Sequence, residues 1–158
     1  MNGYYYETII GRIGIVENGH AITHLFFNEI DLEDINLIET PLLKKAHDEL
    51  QEYLDGDRKE FDLPLELSGT EFQKKVWNAL MEIPYGQTKS YKDIAERIGN
   101  IKACRAVGMA NNKNPIAIFV PCHRVIGSNG KLVGYGGGLD IKERLLELES
   151  RTGEIFNA

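Results

Sequence analysis

The chain has 158 residues, 42% of them hydrophobic, and can bury a core as one domain or as two small lobes without disulfides or metals. Its longest apolar run is about five residues, too short to span a bilayer, and residues 1–10 lack a basic stretch followed by a hydrophobic core. We therefore expect no membrane association and a cytoplasmic location.

The net charge of −6 is unevenly divided along the chain. Residues 1–66 carry 5 Lys+Arg against 15 Asp+Glu, whereas residues 67–131 carry 10 against 4. Such asymmetry between two halves is a hint of nucleic-acid binding by the basic half. A basic stretch is also often only a solvated face, so charge alone leaves both interpretations open.

Cysteines and histidines give no sign of a metal site. Cys104 and Cys122 stand in a chain with no export signal, so we expect free thiols and not a disulfide. The four histidines lie at unrelated spacings: His20, His24, His47 and His123. Because no Cys-x-x-Cys or His-Glu-x-x-His pattern occurs, we expect no bound metal.

The first part of the chain predicts a small antiparallel sheet followed by a helix. The segments "YYYETII", "RIGIVENG" and "AITHLFF" are rich in β-branched and aromatic residues, and Asn18-Gly19 supplies a turn. Thr40 as N-cap and Pro41 at the first helical position predict a helix that ends near Gly56. The acidic segment "FDLPLELSG" is then the expected linker between lobes.

The second part is predicted to be mostly helical. Three pairs have the spacing of a capping box and predict helix starts: Thr70 with Gln73, Ser90 with Asp93, and Asp140 with Glu143. The helix in "SYKDIAERIG" and the next one in "IKACRAVGMANN" suggest a helix-turn-helix. Plain core packing explains such a pair equally well. Nearby lysines and arginines favour a nucleic-acid contact, and the small residues of the second helix would let it lie close to another surface.

Cys122 follows an apolar run and a proline, in "IFVPCHRV". Pro121 favours an extended Val120, which predicts that the strand "IAIFV" ends at the thiol. Side chains adjacent in a regular strand point to opposite faces, so His123 can reach the thiol only through a break in the strand or a bridging water. Lowering the thiol pKa by about 2 units would then make the thiolate dominant. The alternatives are a buried, inert cysteine and an acyl-enzyme nucleophile.

Five motifs in order resemble the O6-alkylguanine-DNA alkyltransferase family: "FQKKVWNALMEIPYGQTKSYKDIA", "ACRAVG", "NP", "PCHRV" and "SNGKLVGYGGGLDIKERLL". The resemblance covers residues 68–149 closely and residues 1–67 more loosely. It implies an α+β protein with two domains. Residues 1–67 would form a ribonuclease H-like structural lobe with a small antiparallel sheet and a helix. Residues 68–158 would form a winged helix-turn-helix domain that binds DNA and carries the active site.

The resemblance also implies catalytic roles. Cys122 would accept the alkyl group, His123 would be its base through a water, and Glu143 would orient His123. Asn114 would order the turn that holds Cys122, and Tyr91 would rotate the nucleotide phosphate and protonate guanine N3. Reciprocal capping with Asp140 also explains Glu143, and core packing also explains Tyr91.

Two further sets follow from the resemblance. The expected DNA contacts are Arg105, Tyr91, Lys102, Ala103, Ala106 and Lys113, with Arg105 as the finger that enters the base stack. The expected guanine contacts are Val125, Tyr135, Gly136 and Gly137. Arg105 could instead be a phosphate contact, and the glycines could form an ordinary loop.

The implied activity is DNA repair by a methyltransferase that uses no cofactor, S-adenosylmethionine included. Its partner would be duplex DNA containing O6-alkylguanine, with O4-methylthymine as a further substrate and a monomer as the working form. A thioether on Cys122 resists hydrolysis, so each molecule would react once. The alternatives are a non-catalytic protein that recognises alkylated DNA and a thiol-based regulator.

Overall fold

The computed structural model describes residues 1–27, 34–130, 132, 135 and 137–157, the last six by backbone only. We refer to residues 1–67 as the N-terminal lobe and to residues 68–158 as the C-terminal lobe. Across the described part of the chain, no helix combines the length and the apolar character that a membrane span requires.

The N-terminal lobe contains a four-stranded sheet in the order β3-β2-β1-β4. Its strands are β1 (Asn2–Thr8), β2 (Gly11–Glu17), β3 (Ile22–Phe26) and β4 (Asn36–Leu37). The first three pair antiparallel, as predicted, but β4 pairs parallel to β1, so the sheet is mixed. The predicted turn is confirmed: Asn18 Oδ1 accepts hydrogen bonds from the backbone N–H groups of His20 and Ala21, and Gly19 has φ +94°.

Helix α1 (Pro41–Leu54) begins and ends as predicted. The Thr40 hydroxyl accepts a hydrogen bond from the Leu43 N–H at 3.3 Å, and Gly56 follows the helix with φ +84°. Its apolar face packs against the sheet. This face is formed by Leu43, Ala46, Leu50 and Tyr53, all fully buried. The sheet and α1 thus share one core, as their apolar periodicities predict.

The linker between the lobes continues the edge of the sheet. Ile22 donates its N–H to the Pro64 carbonyl at 2.8 Å, and the Glu66 N–H donates to the Ile22 carbonyl at 3.0 Å. Pro64 is tolerated because an edge position does not require its missing N–H. The segment is therefore tied to β3 rather than free.

The C-terminal lobe contains four helices within the described residues: α2 (Glu71–Met81), α3 (Tyr91–Arg97), α4 (Cys104–Asn112) and α5 (Leu139–Asn157). The capping boxes at Thr70 and Ser90 are confirmed. The one expected at Asp140 is wrong because α5 already begins at Leu139. The Lys142 N–H donates to the Gly138 carbonyl at 3.2 Å, which places Asp140 inside the first turn.

Helices α3 and α4 form the predicted helix-turn-helix, with Gly99 in the turn at φ +81°. The indole Nε1–H of Trp77 in α2 donates to the Ala110 carbonyl of α4 at 2.9 Å. A short parallel pair, β5 (Lys89–Ser90) with β6 (Val125–Ile126), joins the start of α3 to the segment that follows Cys122. This pairing brings the helix-turn-helix beside the cysteine.

The predicted strand over residues 116–120 does not form. Ile116 and Ala117 make only isolated bridges, and the chain turns back so that the Val120 N–H donates to the Ile116 carbonyl at 2.9 Å. Ile118, buried in this turn, has φ +71°, a left-handed conformation that is rare for a β-branched residue. The apolar composition of the segment therefore reflects a buried turn, not a strand.

Candidate active site

Cys122 opens a 3₁₀ turn (Cys122–Arg124) directly after Pro121. The turn supplies the break in regular structure that a contact between neighbouring Cys and His side chains requires. Cys122 itself is mostly buried, with 5% of its surface exposed. The thiol thus lies at the end of a buried turn.

Asn114 ties together the two ends of the turn that precedes Cys122. Its Nδ2–H donates to the Val120 carbonyl at 2.8 Å, and its Oδ1 accepts the Ile116 N–H at 3.0 Å. A buried residue that sequence reasoning missed, Asn111, donates from Nδ2 to the Cys122 carbonyl at 3.4 Å. Both side-chain amides therefore form hydrogen bonds with the backbone around the thiol.

The electrostatic environment of the thiol differs from the expectation. Burial raises the pKa of Cys122 to about 11, although the Asn114 amide and the Lys142 charge act to lower it. A thiol with this pKa is protonated at neutral pH. At neutral pH, therefore, Cys122 is a neutral thiol in the free protein, and the thiolate expected from the sequence is not the dominant form.

His123 is fully buried and paired with Glu149, not with Glu143. The Nε2 atom of His123 lies 2.6 Å from Glu149 Oε2. Glu143 is exposed on α5, whereas Glu149 holds His123, so the expectation that Glu143 orients His123 is wrong. The helical period explains the error, because Glu149 lies seven residues after the buried Lys142 and Glu143 lies only one. We call the two partners the Glu149–His123 pair.

Several donors converge on the Glu149 carboxylate, which is 1% exposed. Arg124 donates from Nε to Oε1 at 2.8 Å and from NH2 to Oε2 at 3.2 Å. The backbone N–H of Gly86 donates to Oε1 at 3.0 Å, and the Tyr53 hydroxyl donates to Oε2 at 2.5 Å. Burial by itself raises the Glu149 pKa, but the bonds and charges of His123 and Arg124 outweigh it and lower the pKa to about 2.

The ionised carboxylate fixes the tautomer of His123. Since Glu149 has no proton to donate, the hydrogen between the two groups belongs to His123 Nε2. Burial lowers the His123 pKa, against the opposing effect of Glu149, so the imidazole is neutral at neutral pH. Its buried Nδ1 has no hydrogen-bond partner among the described residues. The lone pair on Nδ1 can therefore accept a proton, directly or through a water.

Lys142 is a second buried charge near the thiol that sequence reasoning missed. Its Nζ donates to the Val125 carbonyl at 2.6 Å, and burial lowers its pKa while Cys122 acts to raise it. Val125 is the residue whose backbone was expected to contact guanine. A lysine and an acid on an otherwise apolar helix face, at 142 and 149 beside Leu145, are the sequence signal that could have identified both residues.

The expected DNA-binding residues lie on and beside α4. Arg105, Ala106, Lys102 and Lys113 are exposed, whereas Ala103 is half-buried. Tyr91, at the start of α3, is half-buried, and a Cβ at Gly108 would lie 3.9 Å from its ring. Burial raises the Tyr91 pKa, with a further contribution from Cys122, so the phenol keeps its proton. The structure thus places one face of α4 and a protonated phenol near the thiol.

The expected guanine-binding loop is described only in part. Val125 is fully buried. The Tyr135 ring lies 5.5 Å from the ring of Phe27 in the N-terminal lobe, and its buried hydroxyl has no partner in the described part of the chain. A Cβ at Gly137 would meet the Phe27 ring at 2.9 Å. Gly136 lies outside the described residues.

Two family descriptions match the chain. "6-O-methylguanine DNA methyltransferase, ribonuclease-like domain" matches residues 3–67, and "6-O-methylguanine DNA methyltransferase, DNA binding domain" matches residues 71–151.

Individual relatives agree. The methylated-DNA–protein-cysteine methyltransferase of Methanosarcina acetivorans is 51% identical over 152 residues, covering 92% of this chain and 97% of that protein. The constitutive Bacillus subtilis enzyme of the same name is 49% identical over 151 residues, covering 90% and 92%. A crystal structure of Mycobacterium tuberculosis OGT in complex with DNA superposes with a TM-score of 0.91 at 45% identity, covering 96% and 94%. The α+β fold expected from the sequence is therefore confirmed.

Proposed function

Since the chain belongs to the 6-O-methylguanine DNA methyltransferase family, we propose that it repairs DNA as a methylated-DNA–protein-cysteine methyltransferase. Cys122 takes an alkyl group from O6-alkylguanine in duplex DNA, and O4-methylthymine is a second substrate. The observation that carries the proposal is the neutral, buried His123 beside Cys122, with Nε2 bound to Glu149 and Nδ1 available as a base.

The reaction is an in-line displacement at a saturated carbon. His123 accepts the thiol proton as sulfur attacks, the bond from carbon to guanine O6 breaks, and a carbon–sulfur bond forms. The departing guanine takes up a proton, for which the protonated Tyr91 phenol is the proposed donor. General-base assistance of this kind typically contributes a factor of about 100 to 10,000 to the rate. It also explains how a thiol with a raised pKa reacts at neutral pH.

Access to the alkyl group requires extrusion of the nucleotide. The O6 substituent is inside the base stack, and a damaged base that pairs poorly is easier to flip. Arg105 on the exposed face of α4 is the proposed finger that fills the stack, with Lys102, Ala103, Ala106 and Lys113 along the backbone. Val125, Tyr135, Gly136 and Gly137 are the proposed contacts of the flipped base. The acidic N-terminal lobe is then expected to face away from DNA.

The thioether formed on Cys122 explains why each molecule is proposed to react only once. The alkyl group comes from the DNA, so no S-adenosylmethionine or other cofactor is needed. A thioether is stable in water, and no second activated nucleophile is seen near Cys122 in the described residues. We propose that each molecule reacts once, as a monomer in the cytoplasm, with residues 1–67 and 68–158 as separate domains.

Two alternatives use the same fold without transfer: a protein that only recognises alkylated DNA, and a regulator that uses the thiol as a sensor. The buried Glu149–His123 pair favours transfer, because a protein that only recognises alkylated DNA has no need of a base. A sensor thiol is expected to have a low pKa and good exposure, and Cys122 has neither.

Mass spectrometry tests the proposal. Incubation with duplex DNA containing O6-methylguanine should add one methylene mass, about 14 Da, to the peptide that contains Cys122, and restore guanine in the DNA. Cys104→Ser, the matched control, should still gain this mass, and Cys122→Ser should not. DNA binding with no gain of mass in the unmodified protein would instead support recognition alone.

A further inference from the structure

Tyr53 connects the N-terminal lobe directly to the Glu149–His123 pair. It lies in the last turn of α1, has no exposed surface, and donates its hydroxyl proton to Glu149 Oε2 at 2.5 Å. The same oxygen accepts His123 Nε2 at 2.6 Å, and the phenol oxygen is 3.4 Å from that nitrogen. Tyrosine and histidine therefore share one carboxylate oxygen, although Tyr53 and Glu149 are 96 residues apart.

We propose that Tyr53 is a positioning residue for the active site: its hydroxyl holds Glu149 Oε2 against His123 Nε2 and takes up part of the carboxylate charge, so that the imidazole keeps its proton on Nε2 and presents Nδ1 as the base. The N-terminal lobe thus contributes one hydrogen bond to the transfer machinery and is more than a support for the fold. This inference deepens the proposed function, and its kinetic part rests on that function.

The direction of this hydrogen bond is unambiguous. Burial, together with the nearby charge of Glu149, raises the Tyr53 pKa well above its usual value, so the phenol is a donor at all relevant pH values. Hydrogen bonds to a charged group are stronger than neutral ones. The hydrogen bond from the Tyr53 hydroxyl to Oε2 reduces the negative charge available to stabilise an imidazolium. The Tyr53 hydroxyl therefore keeps His123 less basic than Glu149 alone would make it.

Other charged and titratable groups surround the pair, and all remain when only the Tyr53 hydroxyl is removed. They are Arg124 in the 3₁₀ turn, Lys142 in α5, Tyr85 against the Tyr53 ring, and Tyr135 near Glu149. Arg124 continues to neutralise Oε1 in the absence of that hydroxyl. A change in His123 titration after this deletion can thus be assigned to the hydroxyl.

The experiment compares Tyr53→Phe with Tyr6→Phe in the full chain. Tyr6 is a matched control, because it is also a buried tyrosine of the N-terminal lobe whose hydroxyl donates to a glutamate, Glu39, at 2.7 Å. We expect Tyr53→Phe to raise the His123 pKa, measured by NMR of the labelled imidazole, by about one unit. In the pH profile of the alkyl-transfer rate, the fall in rate on the acid side should move to higher pH by the same amount. Tyr6→Phe should change neither.

If Tyr53→Phe folds poorly, a second variant tests the same proposal. Site-specific 3-fluorotyrosine at position 53 keeps the hydrogen bond but makes the phenol a stronger donor, so the His123 pKa should fall. A His123 titration that is the same in all variants, or a transfer rate that drops equally at every pH, would overturn the positioning role. Failure of the unmodified protein to take up the alkyl group would overturn the proposed function alone, because the NMR titration needs no transfer.

Discussion

At the scale of single residues, Glu149 receives hydrogen bonds from Tyr53, Gly86, His123 and Arg124 while almost fully buried. A buried carboxylate is tolerated only when its charge is compensated in this way. The bond to His123 also sets the tautomer on which proton transfer depends. The contacts that compensate the buried carboxylate are therefore the same ones that serve the proposed proton transfer.

Glu149→Gln should show which of the two glutamates on α5, Glu149 or Glu143, orients His123. Because Arg124 loses its charged partner while buried, we expect the free energy of unfolding to fall by about 3–5 kcal/mol. The transfer rate should drop on the order of 100-fold, since a neutral amide does not hold the imidazole as a base. Urea denaturation and single-turnover kinetics measure the two effects.

The control is Glu143→Gln on the exposed side of α5. It should change stability by less than about 0.5 kcal/mol and leave the rate unaltered. Equal effects of the two substitutions would mean that His123 takes its orientation from elsewhere.

The raised pKa of Cys122 predicts its reactivity in the free protein. At pH 7 its thiolate fraction is on the order of one in 10,000, because the pKa is about 11. Alkylation of Cys122 by iodoacetamide should therefore be slow at pH 7 and rise about tenfold per pH unit. Peptide mapping by mass spectrometry measures this rate beside that of the partly exposed Cys104. Fast, pH-independent modification of Cys122 at pH 6–8 would contradict the raised pKa.

At the scale of secondary-structure elements, the position of α4 depends on contacts behind it. Trp77 binds the Ala110 carbonyl, and Asn111 reaches from the inner face of the helix to the Cys122 carbonyl. The opposite face, with Arg105 and Ala106, is exposed. One helix thus has the Cys122 backbone on its inner side and solvent on its outer side, which is consistent with the DNA contact proposed for α4.

If Arg105 is the finger proposed above, Arg105→Ala should weaken repair of O6-methylguanine in duplex DNA by on the order of tenfold or more, since nothing then replaces the flipped base in the stack. Reaction with the free base needs no flipping and should be nearly unaffected. Rate constants for both substrates measure the ratio. Arg12→Ala in the N-terminal lobe should alter neither rate, and equal losses on both substrates would argue against a finger role for Arg105.

At the scale of the whole molecule, the two lobes meet around the Glu149–His123 pair. Besides Tyr53, the Leu25 N–H of β3 donates to the Pro115 carbonyl at 2.9 Å, and the Phe61 and Phe119 rings lie 4.7 Å apart. The turn before Cys122 is therefore held from the N-terminal side as well. Charges that stabilise the site consequently stabilise the contact between the lobes.

Acid should lower the free energy of unfolding over two separate pH ranges. His123 and His24 have lowered pKa values because of burial, so the unfolded chain binds their protons first and stability falls as pH drops below about 6.5. Glu149, with a pKa lowered to about 2, stabilises the folded state above its usual value of 4.5, and this contribution is lost as pH falls from there toward 2.

The Glu149 contribution amounts to about 3 kcal/mol and is measured by urea denaturation across this pH range. His24→Gln should remove only its own share of the loss in the first range. Glu149→Gln should remove most of the loss in the second, and an unchanged loss there in that variant would assign it to other carboxylates.

Local signals in the sequence were sufficient for much of the fold. Thr40, Thr70 and Ser90 mark helix starts because capping depends on residues only three apart. The signals for the Asn18-Gly19 turn and for the helix-turn-helix also come from residues that are close together in the sequence. The short motif that contains Cys122 and His123 likewise carries the family resemblance, from which the proposed alkyl acceptor and its proposed base follow.

What required the tertiary structure was the set of side chains that control those two residues. Glu149 rather than Glu143, the raised pKa of Cys122 and the contact from Tyr53 all depend on burial and on atoms brought together from distant parts of the chain. Tyr53 has the spacing of an ordinary core residue on α1. Only the tertiary structure shows that its hydroxyl donates a hydrogen bond to the Glu149 carboxylate. The periodicity of the apolar residues predicts which face of a helix is buried. Which charged groups contact that face is decided by the other elements of the fold.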